Sequence, residues 1–258
     1  MGVDTGSRKG FLRAIRLLRD KVPDFARYPF AIPAVAALGE LPLDPRVTIF
    51  VGENGSGKST LIEAIALAAG FGPEGGTRNI RFATQSSESR LHECLMLVRE
   101  ARREKSGFFL RAESLFNVAT KIDDLGLSGF GWESLHEKSH GESFLWLLQN
   151  RFRHNGLYIL DEPEAALSPQ RQLSALAIMH DLVGNGCQFV MATHSPILLA
   201  YPGALIYKLD EHGLARTTYE ETEHYTVTRS FLMRPESFLK HLVGKPDEPE
   251  EPDEPEEP

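Results

Sequence analysis

At 258 residues and 41% hydrophobic content, the chain has the length and composition of a globular protein with one large α/β domain or at most two small ones. The formal charge of −8 is unevenly placed, because residues 247–258 read DEPEEPDEPEEP, a six-residue tandem repeat with eight carboxylates and no base. Without it, 28 acidic residues face 28 basic ones. A neutral body excludes the uniformly basic surface that would demand nucleic acid as a partner, although a local patch stays possible. Repeated Pro and like charges cannot bury apolar surface, so residues 247–258 are expected to form a disordered acidic tail behind a domain at 1–246.

In chain order, the first residues are polar, and the apolar stretch after them is broken by Arg13 and Arg16, which argues against a secretory signal. No run approaches the ~18 apolar residues of a membrane span. No direct membrane insertion is expected. Phe11 to Leu18 reads as a first strand. Arg46 to Val51 is β-branched and reads as a second, followed by a glycine-rich turn and a helix over Ser59 to Ala69 that Gly70 ends. Glu88 to Arg103 reads as a charged amphipathic helix with Leu91, Leu95 and Val98 on one face. Cys94 falls within it and Cys187 precedes a later strand. With no paired metal or redox spacing, both are expected to be buried thiols in a reducing cytoplasm.

GFFLRA, from Gly107, reads as a strand. Ser139 opens a helix whose apolar stripe is Phe144, Leu147, Leu148 and Phe152. GLYILDEPE and CQFVMATHSP then supply two strands around a helix at Pro169 to Val183. ALIYKL and LARTTY form a hairpin, and two short helices parted by Pro235 follow. Strands alternating with helices argue for a mostly parallel sheet covered on both faces.

Gly52-Glu53-Asn54-Gly55-Ser56-Gly57-Lys58-Ser59 matches G-x-x-x-x-G-K-[ST], with a strand before it and a helix after it. Its glycines let successive backbone N–H groups converge on an anion, and the helix N-terminus adds its dipole. Lys58 would reach the β- and γ-phosphates of ATP, and the Ser59 hydroxyl would bind Mg²⁺. Asp161 ends a buried strand and would hold Mg²⁺ through water. Glu162 beside it would orient or deprotonate the attacking water. His194, in ATHSP, ends a further strand where α/β sheets place ligand residues. Tyr28 or Phe30 could stack on adenine, or pack in the core.

GENGSGKST, LDEPE and THSP in this order, with KSHGESF between the first two, resemble the ABC-type ATPase domain. The soluble, non-transporter branch is the one meant, with the SMC and DNA-repair ATPases and short bacterial ATPases of AAA/ABC-like type. The resemblance covers roughly residues 10–210 and places a helical signature subdomain at about 113–152. It implies ATP hydrolysis in a head-to-tail homodimer in which Ser139 and Gly141 of one copy reach the γ-phosphate held by Gly52 to Thr60 of the other. His194 would be the switch histidine, and Ala165 to Ser168 would lie along the seam.

The chain departs from the family at His140, where Gly is usual, and at Glu142, often Gln. The polar residue expected near the metal is Glu113 or else Gln85. Ser139 and Glu142 also fit a helix capping box. The 81 positions between Lys58 and Ser139 leave no room for the long coiled coil of SMC-like proteins. The expected role is a cytoplasmic ATP-driven switch on an unidentified protein partner. The alternatives are the ATP-binding subunit of a membrane transporter and a small-molecule kinase, and a kinase has no use for Ser139, Glu162 and His194 together.

Overall fold

The computed structural model describes residues 9–78, 89–111 and 140–243. Its frame is a six-stranded sheet of order β5-β6-β7-β3-β8-β9. The strands are β3 (Val47–Val51), β5 (Ser106–Arg111), β6 (Gly156–Asp161), β7 (Gln188–Ala192), β8 (Leu205–Asp210) and β9 (Gly213–Thr217). The first five run parallel, and β9 returns antiparallel to β8 through the expected hairpin. The expected α/β fold with a mostly parallel sheet is therefore present.

β3 is buried at every position because both faces of the sheet are covered. Its alternation sends Phe50 towards α2 (Lys58–Ala68) and Val47, Ile49 and Val51 towards the opposite core. That opposite core is built with α3 (His140–Asn150) and α4 (Pro169–Gly184). Phe144, Leu147, Leu148 and Phe152 are all buried in it, as the helical stripe predicts. Each contributes roughly 1.5–3 kcal/mol of apolar burial.

A second sheet, β2-β1-β4, is antiparallel and lies on the α2 side. It consists of β1 (Leu12–Leu17), β2 (Glu40–Pro42) and β4 (Leu95–Arg99). Gln188 ties it to the main sheet: its Oε1 accepts from the Phe11 and Leu12 N–H groups at 2.8 and 2.9 Å. Its Nε2 donates to the Leu12 and Asp44 carbonyls at 2.8 and 2.9 Å. All four bonding positions of this buried amide are thereby used.

The helix expected over Glu88 to Arg103 is corrected. Arg90–Cys94 is one 3-10 turn, and the chain then extends as β4, pairing with β1 from Leu12↔Arg99 to Leu17↔Leu95. Leu91 and Leu95 are buried as expected. The apolar run CLMLV fits either period, and the open edge of β1 decides for a strand.

The remaining helices are the one-turn α1 (Pro33–Ala36), α5 (Pro196–Leu199), and α6 (Glu223–Met233) and α7 (Pro235–Leu242) at the C-terminal end. Cys94 and Cys187 are buried and form no disulfide, their thiols donating to the Lys21 and Arg153 carbonyls at 3.3 and 3.2 Å. Among the described residues no helix is long and apolar enough to cross a membrane. Ser139, Glu113, Gln85 and the tail at 247–258 lie outside the described residues, as does most of the proposed subdomain at 113–152.

Candidate nucleotide site

Strand register places the candidate residues. Phe50 pairs with Ala192, Ala192 with Asp161, and Asp161 with Arg111, so four neighbouring strands end level. The residues just beyond that row are the P-loop after β3, Thr193 and His194 after β7, and Glu162 after β6. Residues more than 100 positions apart in sequence meet at the carboxyl edge of one sheet, where open α/β folds bind ligands.

The P-loop is shaped by close contacts. A Cβ on Gly52 would lie 2.2 Å from the Leu209 carbonyl oxygen, so only glycine fits there. Gly57 sits at φ 95°, in the left-handed region, as the cap residue before α2, and a Cβ would come within 2.7 Å of Ile32 Cγ2. The turn leaves the first N–H groups of α2 facing the loop interior. Lys58 is buried, and its Nζ donates to the Glu53 carbonyl at 2.9 Å. Burial lowers its pKa, and the carboxylates of Glu162, Asp161 and Glu164 oppose that shift. Ser56 Oγ is buried with no hydrogen-bond partner among the described residues. A buried hydroxyl and a glycine-lined turn beside a buried ammonium fit a polyphosphate.

Asp161 is buried at the end of β6. Arg111, at the end of β5, lies 3.5 Å from its Oδ2 and bonds Glu63 of α2 at 2.7 Å. This cation beside the candidate metal ligand was not singled out from the sequence. The clue was present, since GFFLR ends level with LYILD. Glu162 holds φ 47°, ψ 53°, a left-handed conformation uncommon outside glycine and Asn, with its N–H donating to the Ala192 carbonyl at 3.0 Å. Such a backbone costs about 1–3 kcal/mol and concentrates at functional sites. Here it turns the carboxylate towards His194, whose Nε2 is 3.4 Å from Glu162 Oε1.

His194 is held from behind by Glu164, which accepts from the Thr193 hydroxyl at 2.7 Å and from the His194 backbone N–H. Burial pushes the Glu164 carboxyl up, against these hydrogen bonds. Burial is also the largest cause lowering the His194 pKa, and Lys58 adds to it. Gly141, in the first turn of α3, packs so closely that a Cβ would lie 2.8 Å from the Ala166 carbonyl oxygen and 2.6 Å from Arg171 Nη1. Glu142 Oε1 accepts from Arg171 at 2.9 Å, so a partner on α4 engages the residue expected to complete a capping box. Of the two aromatic candidates, Phe30 belongs to the core, whereas Tyr28 is 68% exposed with its hydroxyl 3.3 Å from Thr60 Oγ1.

The fold and this site together have the form of a P-loop domain. Residues 36–113 match the family model of the AAA domain. No curated protein matches the chain. Similar solved structures include the SMC head domain from Thermotoga maritima, at 16% identity and a TM-score of 0.45, covering 81% of this chain and 98% of that one. A nucleotide-free ATP-binding cassette from an ABC transporter is similar at 17% identity and 0.44, covering 90% and 98%. The ADP conformation of an ATP-binding cassette of an ABC transporter is similar at 18% and 0.44, covering 91% and 99%.

Proposed function

We propose that the chain hydrolyses ATP to ADP and phosphate at sites shared by two head-to-tail copies, and that ATP-dependent pairing acts as a switch on a protein partner. The observation that carries this is the level row of strand ends that brings Lys58, Asp161, Glu162 and His194 to one edge. In this reading Gly52 to Thr60 cradle the phosphates and Lys58 binds the β- and γ-phosphate oxygens. Ser59 and Asp161 hold Mg²⁺, with Glu113 beside them, and the ion would neutralise phosphate charge. Glu162 accepts the proton of the attacking water, and His194 donates a hydrogen bond to the transferring phosphoryl group. Tyr28 is the residue placed to stack on the base.

Ser139 and Gly141 supply the contact in trans. A helix N-terminus carries free N–H groups and positive dipole, which suits a γ-phosphate arriving from the facing copy. Ser139→Arg is therefore expected to bind ATP with unchanged affinity while losing both ATP-dependent dimerisation and hydrolysis. Nucleotide titration, light scattering and phosphate release on the same preparation check this. Normal hydrolysis by the variant would reduce KSHGESF to a helix start.

A further inference from the structure

His224, in the first turn of α6, places its Nε2 2.9 Å from His194 Nδ1, with the two rings 5.1 Å apart at 50°. We infer that His224 is a positioning residue that fixes His194 in the tautomer whose Nε2–H faces Glu162, making the C-terminal helix part of the nucleotide site. The inference rests on the hydrolase reading above for its effect on turnover. Its effect on the ring itself does not.

Proton counting carries the argument. A carboxylate oxygen accepts hydrogen bonds, and Glu162 Oε1 lies 3.4 Å from His194 Nε2, a contact that favours the proton of a neutral His194 on Nε2 without making a hydrogen bond that would fix it there. That leaves Nδ1 as an acceptor, and the group facing it is His224 Nε2, which must then carry a proton and donate. One arrangement gives Nδ1 its donor from His224 and puts the proton of the buried Nε2, which has no hydrogen-bond partner among the described residues, beside Glu162. It leaves His194 presenting a donor on the side of the strand ends, where phosphoryl charge develops in the proposed reaction. Without His224 the two neutral tautomers of His194 compete, and half of the choice is lost.

The start of α6 is fixed in place. Thr222 is 1% exposed, donates from its hydroxyl to the Tyr219 carbonyl at 2.7 Å, and accepts from the Tyr225 N–H at 3.4 Å. The adjacent Glu223 bonds Lys208 on β8 at 2.8 Å. His224 also lines a cavity of about 540 Å³ together with Glu53, Asn54 and Ser56 of the P-loop, so a displacement of α6 reaches the loop and the His194 ring at once.

The pair is neutral near pH 7. Burial lowers both imidazole pKa values below the ordinary range, Lys58 lowers both further, and the His224 charge lowers that of His194. Glu162 opposes the shift at His194, and Glu223 and Glu53 oppose it at His224. When both rings are protonated, two donors face each other across the contact and it opens. Because the native pKa values lie below the unfolded ones, the contact is intact at and above neutral pH and is lost as pH falls through the lowered native values, below the ordinary imidazole range.

The test uses the full-length chain with His224→Phe and His224→Gln. The glutamine amide can donate to the same Nδ1, while phenylalanine cannot. Ring ¹⁵N shifts of His194 in the nucleotide-free protein are expected to report Nε2–H in the wild type and in His224→Gln, and a tautomer mixture in His224→Phe. For hydrolysis, His224→Phe is expected to lower kcat on the order of tenfold with the KM for ATP within about twofold, and His224→Gln to recover most of it. Unchanged His194 shifts in His224→Phe would overturn the inference. So would unchanged kcat in an active wild-type background, which leaves the hydrolase reading standing. A wild type that releases no phosphate from ATP would instead overturn the hydrolase reading, and the tautomer shifts alone would then decide the role of His224.

Discussion

Glu162→Gln is expected to bind ATP with wild-type affinity, hydrolyse it 10²–10⁴-fold more slowly, the ordinary worth of a positioned general base, and accumulate as a dimer in the presence of ATP and Mg²⁺. Glutamine keeps the size of the side chain and a carbonyl that can still face His194, so the left-handed backbone at φ 47° and its hydrogen bond to the Ala192 carbonyl should persist. What is lost is the capacity to take a proton. In the proposed cycle hydrolysis releases the pair, so blocking it should trap an ATP-bound dimer, readable as a doubled mass by light scattering. An unchanged turnover number would remove Glu162 from the reaction. Slow turnover without a dimer would remove the pairing step and leave the general base.

Lys58→Ala is expected to weaken ATP binding roughly 10–100-fold, the worth of a charge-assisted hydrogen bond to phosphate, and with it to abolish hydrolysis at cellular nucleotide concentrations. The ammonium is buried near Glu162, Asp161 and Glu164, whose charges oppose the desolvation that lowers its pKa. Its removal leaves a cluster of carboxylates with less compensating charge, which phosphate then meets as repulsion. Thermal melting distinguishes this from unfolding, since the helix it begins is packed through Leu61, Ile62 and Ile65 rather than through Lys58. Full retained affinity would contradict the phosphate-cradle reading of Gly52 to Thr60.

The parts of this site that were legible from the sequence are those whose chemistry and placement are both local. GENGSGKS announces a strand-turn-helix by its glycines, and the runs LYIL and FVMA announce buried strands by their length and apolarity. The residues that follow such strands must emerge at a sheet edge, which is why Asp161, Glu162 and His194 could be named. The 3.6-residue stripe from Phe144 to Phe152 was similarly self-contained, and all four of its members are buried.

What escaped depends on partners distant in sequence. Residues 95–99 become a strand because β1 lies alongside, a fact no window around CLMLV contains. Glu164 carries no signal of its own in LDEPE, yet it is the group that fixes Thr193 and His194, 29 and 30 residues onward. Arg111 gains its meaning only from Glu63 and Asp161 beside it. His224, in the sequence ETEHYT, carries no motif at all, and its contact with His194 follows from the return of α6 across the β8 end of the sheet.

The central claim, that each ATP site is built from two copies, is tested most directly by mixing two variants that are each inactive. Lys58→Ala lacks the phosphate cradle and keeps the signature, while Ser139→Arg lacks the signature and keeps the cradle. In a head-to-tail pair of one with the other, one site combines both defects and the second is intact. Phosphate release by an equimolar mixture should therefore rise from near zero to at most about half of the wild-type rate, because only mixed pairs form and each has one working site of two. A mixture as inactive as its two components would contradict the shared-site account.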